Sequence, residues 1–181
     1  MKIAAIVLMA GLGLAVAAEG AFAQSRGAGS SRAGSGKAQS APEQGAPGPG
    51  AGAGFEAEPQ TPTGRFLTAT EVKPILEATR AQWIAVRPYE GKDWLYFTNL
   101  LAWRCGLHQI RYAVNGGEMK VLEMEPCYDE EGAPNALKMD AGIMPFVTFP
   151  LKSVETIRVE LLFDDLTEAS ADYQRAAVQI N

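Results

Sequence analysis

At 181 residues the chain could hold one ordinary domain together with additional segments, and its composition is uneven along its length. Its 16 basic and 21 acidic side chains give a formal net charge of -5 at pH 7. That balance argues against nucleic acid as a partner, because phosphate binding needs clustered Lys and Arg to displace counterions.

The first segment reads as an export signal. Lys2 precedes an apolar run over residues 3–18, and Ala21-Phe22-Ala23 supplies an A-x-A pattern before Gln24. The run is shorter than the ~20 apolar residues of a spanning helix. Cleavage after Ala23 is therefore expected, giving a periplasmic or secreted protein with no stable membrane insertion. Residues 24–63 are mostly Gly, Ala, Ser, Pro and Gln, with three basic and three acidic residues and with Phe55 as the one bulky apolar exception. Such a stretch cannot bury enough surface to offset its ordering entropy, so it reads as a flexible spacer.

Residues 64–181 form the expected single globular domain, and their 12 basic and 17 acidic side chains carry the whole net charge. Thr68-Ala-Thr70-Glu71 has capping-box spacing, and Val72, Ile75, Leu76, Trp83 and Val86 recur at helical intervals. One amphipathic helix is predicted from near Thr70, with Pro74 in its first turn and Pro88 and Gly91 ending it. The aromatic run Asp93-Trp94-Leu95-Tyr96-Phe97 suits a strand.

The stretch from Cys105 to Cys127 is the most constrained. Two half-apolar runs meet at Asn115-Gly116-Gly117, a hairpin signal because such turns need residues that accept φ > 0. A two-residue loop would set Arg111 opposite Lys120 and an acid among the apolar positions. A three-residue loop with one glycine in a left-handed bulge instead groups Ile110, Tyr112 and Val114 with Leu122 and Met124, and places Cys105 opposite Cys127. The second register is preferred. In an oxidising compartment Cys105 and Cys127 should then form a disulfide, worth about 3 kcal/mol in the chain-entropy model. In this register His108 shares the Ile110 and Tyr112 face, as a core or edge-of-core residue.

Further on, Phe146-Val147-Thr148-Phe149 lies between prolines and fits a short edge strand. The alternation of Ile157, Val159, Leu161 and Phe163 with Arg158 and Glu160 marks another strand. The C-terminal segment 168–180 fits either a helix or a strand returning across a 164–170 turn, and the strand is favoured because it covers an edge. The fold class expected is α+β: one N-terminal amphipathic helix packed on a mainly antiparallel sheet, with a disulfide-closed hairpin.

Chemistry is sparse. His108 is the single histidine, so any triad or His-rich metal site must use it. A Cys105, His108, Cys127 and Asp129 metal set would compete with the disulfide for its thiolates. Asp129, Glu130, Glu131 and Asp140 could offer oxygens to calcium, but they lack the spacing and turn glycine of a calcium loop. Neither a cofactor nor a metal is expected. Trp83, Trp94, Tyr96, Phe97 and Trp103 are mostly core by expectation; two or more exposed together would mark a contact patch for a protein, peptide or glycan. The function expected is a non-catalytic accessory or interaction domain on a tether, whose partner is another envelope protein or peptide. The alternatives are a small-ligand binder, or a hydrolase using His108 and carboxylates such as Asp129 or Glu130.

Overall fold

The computed structural model describes residues 54–139 and 142–181. The signal segment 1–23 and most of the spacer lie outside the described residues. The first element, α1 (Ala69–Ala78), starts at a capping box in which Thr68 and Glu71 each satisfy the other's backbone N–H; Pro74 lies inside the helix, past the first turn expected for it. Its buried face is Ala69, Val72 and Leu76.

The helix predicted to run through Val86 ends at Ala78 instead. A 3-10 turn at Arg80–Gln82 follows, and the chain then extends into β1 (Ala85–Tyr89). Glu90 and Gly91 have φ of 48° and 74°, the mirror-image turn that joins tight hairpins, so Gly91 marks a reversal into β2 (Lys92–Tyr96) and not a helix stop. Trp83 and Val86 are buried as the helical spacing implies, but from different elements. Tertiary packing overrode a pattern that Pro88 had already weakened.

After a helical turn, α2 (Thr98–Leu101), and a 3-10 turn at Arg104–Gly106 comes the long strand β3 (Leu107–Val114). Its partners are the two-residue β4 (Lys120–Val121) and β6 (Thr156–Phe163); β5 (Phe146–Pro150) lies between them in sequence. Last come β7 (Glu168–Gln174) and the single turn α3 (Arg175–Val178). The C-terminal strand therefore exists, but it begins earlier than the 164–170 turn allowed and stops at Gln174.

These strands make two antiparallel sheets, not one: β1-β2-β5 and β4-β3-β6-β7. β5 is an edge strand, as its flanking prolines imply. The two sheets contribute to one core. Val86, Leu95 and Phe97 come from the first sheet region, Ile110, Tyr112, Ile157, Val159 and Leu161 from the second, and Val72 and Leu76 from α1. The Phe97 and Tyr112 rings meet across it at 5.1 Å.

The hairpin ladder has the preferred register, with Arg111 opposite Val121 and Tyr112 opposite Lys120. The extra residue sits elsewhere than expected. Asn115 and Gly116 take φ of 55° and 68°, and the Gly117 N–H donates to the Val114 carbonyl, which closes a two-residue turn. The slack is therefore taken up after the turn, in the unpaired stretch 117–119. Asn115 also anchors the tip: its Oδ1 accepts from the Glu155 and Thr156 N–H groups at 2.8 and 3.1 Å.

Beyond the ladder the arms rejoin at the Cys105–Cys127 disulfide, whose Cα atoms are 5.0 Å apart. Beside it the buried Arg104 guanidinium donates to the carbonyls of Leu101, Glu125, Pro126, Asn135 and Ala136. Arg104 also faces the buried Glu125 carboxylate at 4.0 Å. Burial alone would push the Glu125 carboxyl up. Hydrogen bonds from the Lys138 and Met139 N–H groups and the Tyr128 hydroxyl, with the Arg104 charge, hold it below its ordinary value. Disulfide and arginine together fasten a loop that has no helix or strand among its described residues.

Candidate interaction surface

The outward positions of the two sheets differ in kind. On β3, β6 and β7 they carry an ion-pair ladder: Arg111 to Glu160 at 2.6 Å, Arg158 to Glu160 at 2.9 Å and Arg158 to Asp172 at 2.9 Å. That is the pattern of a solvated sheet face.

On β1-β2-β5 the inward positions are Val86, Asp93 and Leu95, all fully buried. Strand alternation therefore turns Arg87, Tyr89, Lys92, Trp94 and Tyr96 outward, with Phe146 and Thr148 beside them through the β2–β5 register. Four of these are aromatic and they touch one another. Trp94 lies 4.2 Å from Phe146, 5.4 Å from Tyr89 and 6.1 Å from Tyr96 by ring centroid, and Tyr96 lies 5.6 Å from Phe146. The Arg87 guanidinium sits 5.1 Å over the Tyr89 ring. Trp94, Tyr96 and Phe146 are half-buried by this mutual packing, while Tyr89 is 43% exposed.

Exposed aliphatic side chains gather at the rim of the same sheet. Met144 and Leu151 flank β5, and Ile180 donates its N–H to the Val86 carbonyl at the β1 edge. Two of the four buried side-chain atoms without a hydrogen-bond partner among the described residues, Trp94 Nε1 and Arg87 Nε, belong to this face.

The sequence had pointed to Trp94 and Tyr96 but not to Tyr89 or Phe146 as their neighbours. The missing signal was the Glu90-Gly91 turn, which brings Tyr89 back against Trp94. Trp83 and Phe97 are core residues, and the Trp83 Nε1–H donates to the Leu76 carbonyl at 2.8 Å. Trp103 is half-buried and meets the exposed Phe66 ring edge-on at 5.2 Å.

His108 is not on the Ile110 face. The pairing of β3 with β6 slips by one residue between Leu107 and Gln109, a bulge that puts His108 out of the alternation. There it is met by residues assigned above to the spacer. Phe55 stacks on the imidazole at 4.8 Å, Nε2 donates to the Glu56 carbonyl at 2.9 Å, and the Glu58 carboxylate is 3.7 Å from Nδ1. Asp129 and Glu130 are exposed in a turn of the loop, where the Glu130 N–H donates to the Asp129 carboxylate. No described contact joins them to His108, and Cys105 and Cys127 are taken by the disulfide. Among the described residues no group of three or more His, Cys, Asp or Glu side chains is arranged to hold a metal ion.

A cleft of about 370 Å³ opens beside the hairpin tip, lined by Gly116, Met119, Arg158, Asp172 and Gln174 among others. Its charged lining is already an internal ion pair. No described helix is long and apolar enough to cross a membrane. Comparisons with protein-family models, with curated proteins and with solved structures return no match.

Proposed function

We propose that the chain is an exported, non-catalytic interaction domain whose contact surface is the outer face of β1-β2-β5. One observation carries this reading: four mutually packed aromatic side chains, Tyr89, Trp94, Tyr96 and Phe146, occupy outward positions of a sheet whose counterpart carries an ion-pair ladder. Contiguous aromatic surface with an arginine beside it is the composition of an interface centre, where Trp, Tyr and Arg carry most of the binding energy. Export rests on the apolar run and the Ala21-Phe22-Ala23 pattern, and it agrees with a cystine between the only two cysteines. In this reading the 24–53 segment is a tether that lets the domain search for its partner.

A photo-crosslinking residue at Thr148, on the aromatic face, should give a discrete adduct in the cells that make the protein. The same residue at Asp172, on the charged face of the other sheet, should not. Equal labelling from both positions, or none from Thr148, overturns the proposal.

A further inference from the structure

The same face also constrains what can sit on it. We infer that its partner is a protein surface that seats an apolar anchor against the Trp94 ring array and sets carboxylates against Arg87 and Lys92, and that this partner is not a second copy of the chain. The inference rests on the reading above.

Ring orientation comes first. Sugars and nucleobases bind aromatic platforms by lying flat on an open ring face. Here the faces are turned toward each other: Trp94 is within 33° of coplanar with Phe146 and within 29° with Tyr96. The contacting ring faces are therefore spent on internal packing, and the array is a preformed aromatic cluster. A cluster of fixed aromatics suits an apolar anchor from a protein, and little side-chain entropy is lost when it docks.

Charge narrows the choice. The outward strand positions hold Arg87 and Lys92 and no carboxylate, since Asp93 points inward and is fully buried and Glu90 lies in the turn, although the chain as a whole carries -5. The two orphaned atoms on the face, Trp94 Nε1 and Arg87 Nε, are both donors. In a two-fold dimer through this face each molecule would bring a second pair of cations and no acid to answer them.

Size sets the scale. Five residues at about 3.4 Å by three strands at about 4.8 Å is a footprint of roughly 240 Å², well short of the ~800 Å² per partner of a stable complex. The contact must therefore spread to Met144, Leu151 and Ile180 at the rim, or be transient.

The test uses the full chain with the crosslinker at Thr148, in wild type and in the double variant Arg87→Glu/Lys92→Glu. The expected result is a protease-sensitive adduct with a second protein, cut at least about tenfold by the double variant and weakened by added salt. The variant's melting temperature is measured alongside. Should the double variant unfold, Lys92→Glu alone, at an exposed position, is expected to reduce the adduct about threefold. An adduct indifferent to the charge reversals, one of twice the chain's mass, or one removed by a glycosidase or a nuclease overturns the inference while leaving the contact face in place. Absence of any adduct overturns both.

Discussion

Asp93 on β2 and Arg175 at the start of α3, 82 residues apart in sequence, form a two-pronged ion pair, with Nη1 to Oδ2 at 2.5 Å and Nη2 to Oδ1 at 2.8 Å. Asp93 is fully buried, and its carboxylate also accepts the Val154 N–H at 3.1 Å. Arg175 in turn donates to the Val154 carbonyl at 2.9 Å. One charge pair thus ties the underside of the aromatic sheet to the C-terminal turn and to the entry of β6, and gives the rings above it a fixed floor.

The pair sets an acid limit on stability. The Arg175 hydrogen bonds hold Asp93 at about 2, below its ordinary 3.8. Because the folded-state value is the lower one, the contribution is complete above the ordinary carboxylate range and is lost as pH falls from about 4 toward about 2. Arg175→Met strands the buried carboxylate and should cost about 3–5 kcal/mol in urea unfolding at pH 7. Replacing both partners by apolar residues should recover much of that. A loss under 1 kcal/mol for the single variant would show that the pair is not the tie described here.

Much of the fold was legible where a local rule and a buried face agreed. The hairpin register, the edge strand bounded by Pro145 and Pro150, and the alternating strand through Ile157 and Phe163 are of this kind. What stayed hidden depends on residues that only the folded chain brings together. Val86 fits a helical face as well as a strand, and nothing near it in sequence reports that Leu95 is its cross-strand partner. His108 obeys alternation until the bulge at Leu107 and Gln109 breaks it. Nothing near them in sequence marks Arg104 and Asp93 as buried charges. Phe55 was the one visible sign that part of the spacer is held on the domain.

Disulfide and arginine act on the same loop and should not behave additively. Removing the disulfide with Cys105→Ala and Cys127→Ala frees a loop whose closure is worth about 3 kcal/mol. Arg104→Lys keeps the charge but cannot reach carbonyls on both sides of the loop at Glu125, Pro126, Asn135 and Ala136. With either fastener gone the other holds less of the loop in place, so a double-mutant cycle should return a coupling of about 1 kcal/mol or more. Strict additivity would mean that the two hold separate structures. Mass spectrometry without reductant should find the mature chain lighter than its dithiol form by two hydrogen atoms.

The β1–β2 turn is open to improvement. Glu90 is held at φ of 48°, in the left-handed region that Asn tolerates better than Glu. Glu90→Asn, which creates Asn-Gly at a mirror-image turn, should stabilise the domain by about 0.5–1 kcal/mol. It also leaves the outward residues of β1 and β2 untouched. A neutral or destabilising effect would indicate that the Glu90 side chain makes a contact worth more than the backbone strain.

The domain's N-terminal boundary is the last testable point. Residues 55–63 run along the fold, held at His108 by Phe55 and Glu56 and at Asp164, where the Glu58 N–H donates to the backbone carbonyl at 2.8 Å and Gln60 Nε2 to Oδ1 at 2.7 Å. At Glu71 the Thr63 and Gly64 N–H groups donate at 2.9 and 2.6 Å. Burial raises the Glu71 carboxyl, but N–H bonds from Leu67, Thr63 and Gly64 outweigh that and hold it at about 2. Burial raises the Asp164 carboxyl, with Glu58 and Asp165 adding to the effect and one oxygen left unpartnered. The two acids pull in opposite directions. Glu71 stabilises above the ordinary carboxylate range and loses that as pH falls, whereas Asp164 favours folding most when protonated and less as pH rises through its elevated value. A chain beginning at Gly54 should therefore melt like the mature protein, and one beginning at Gly64 should lose about 4 kcal/mol, roughly one net contribution for each of four hydrogen bonds severed at His108, Asp164 and Glu71. Equal stability of the two chains would return residues 55–63 to the tether.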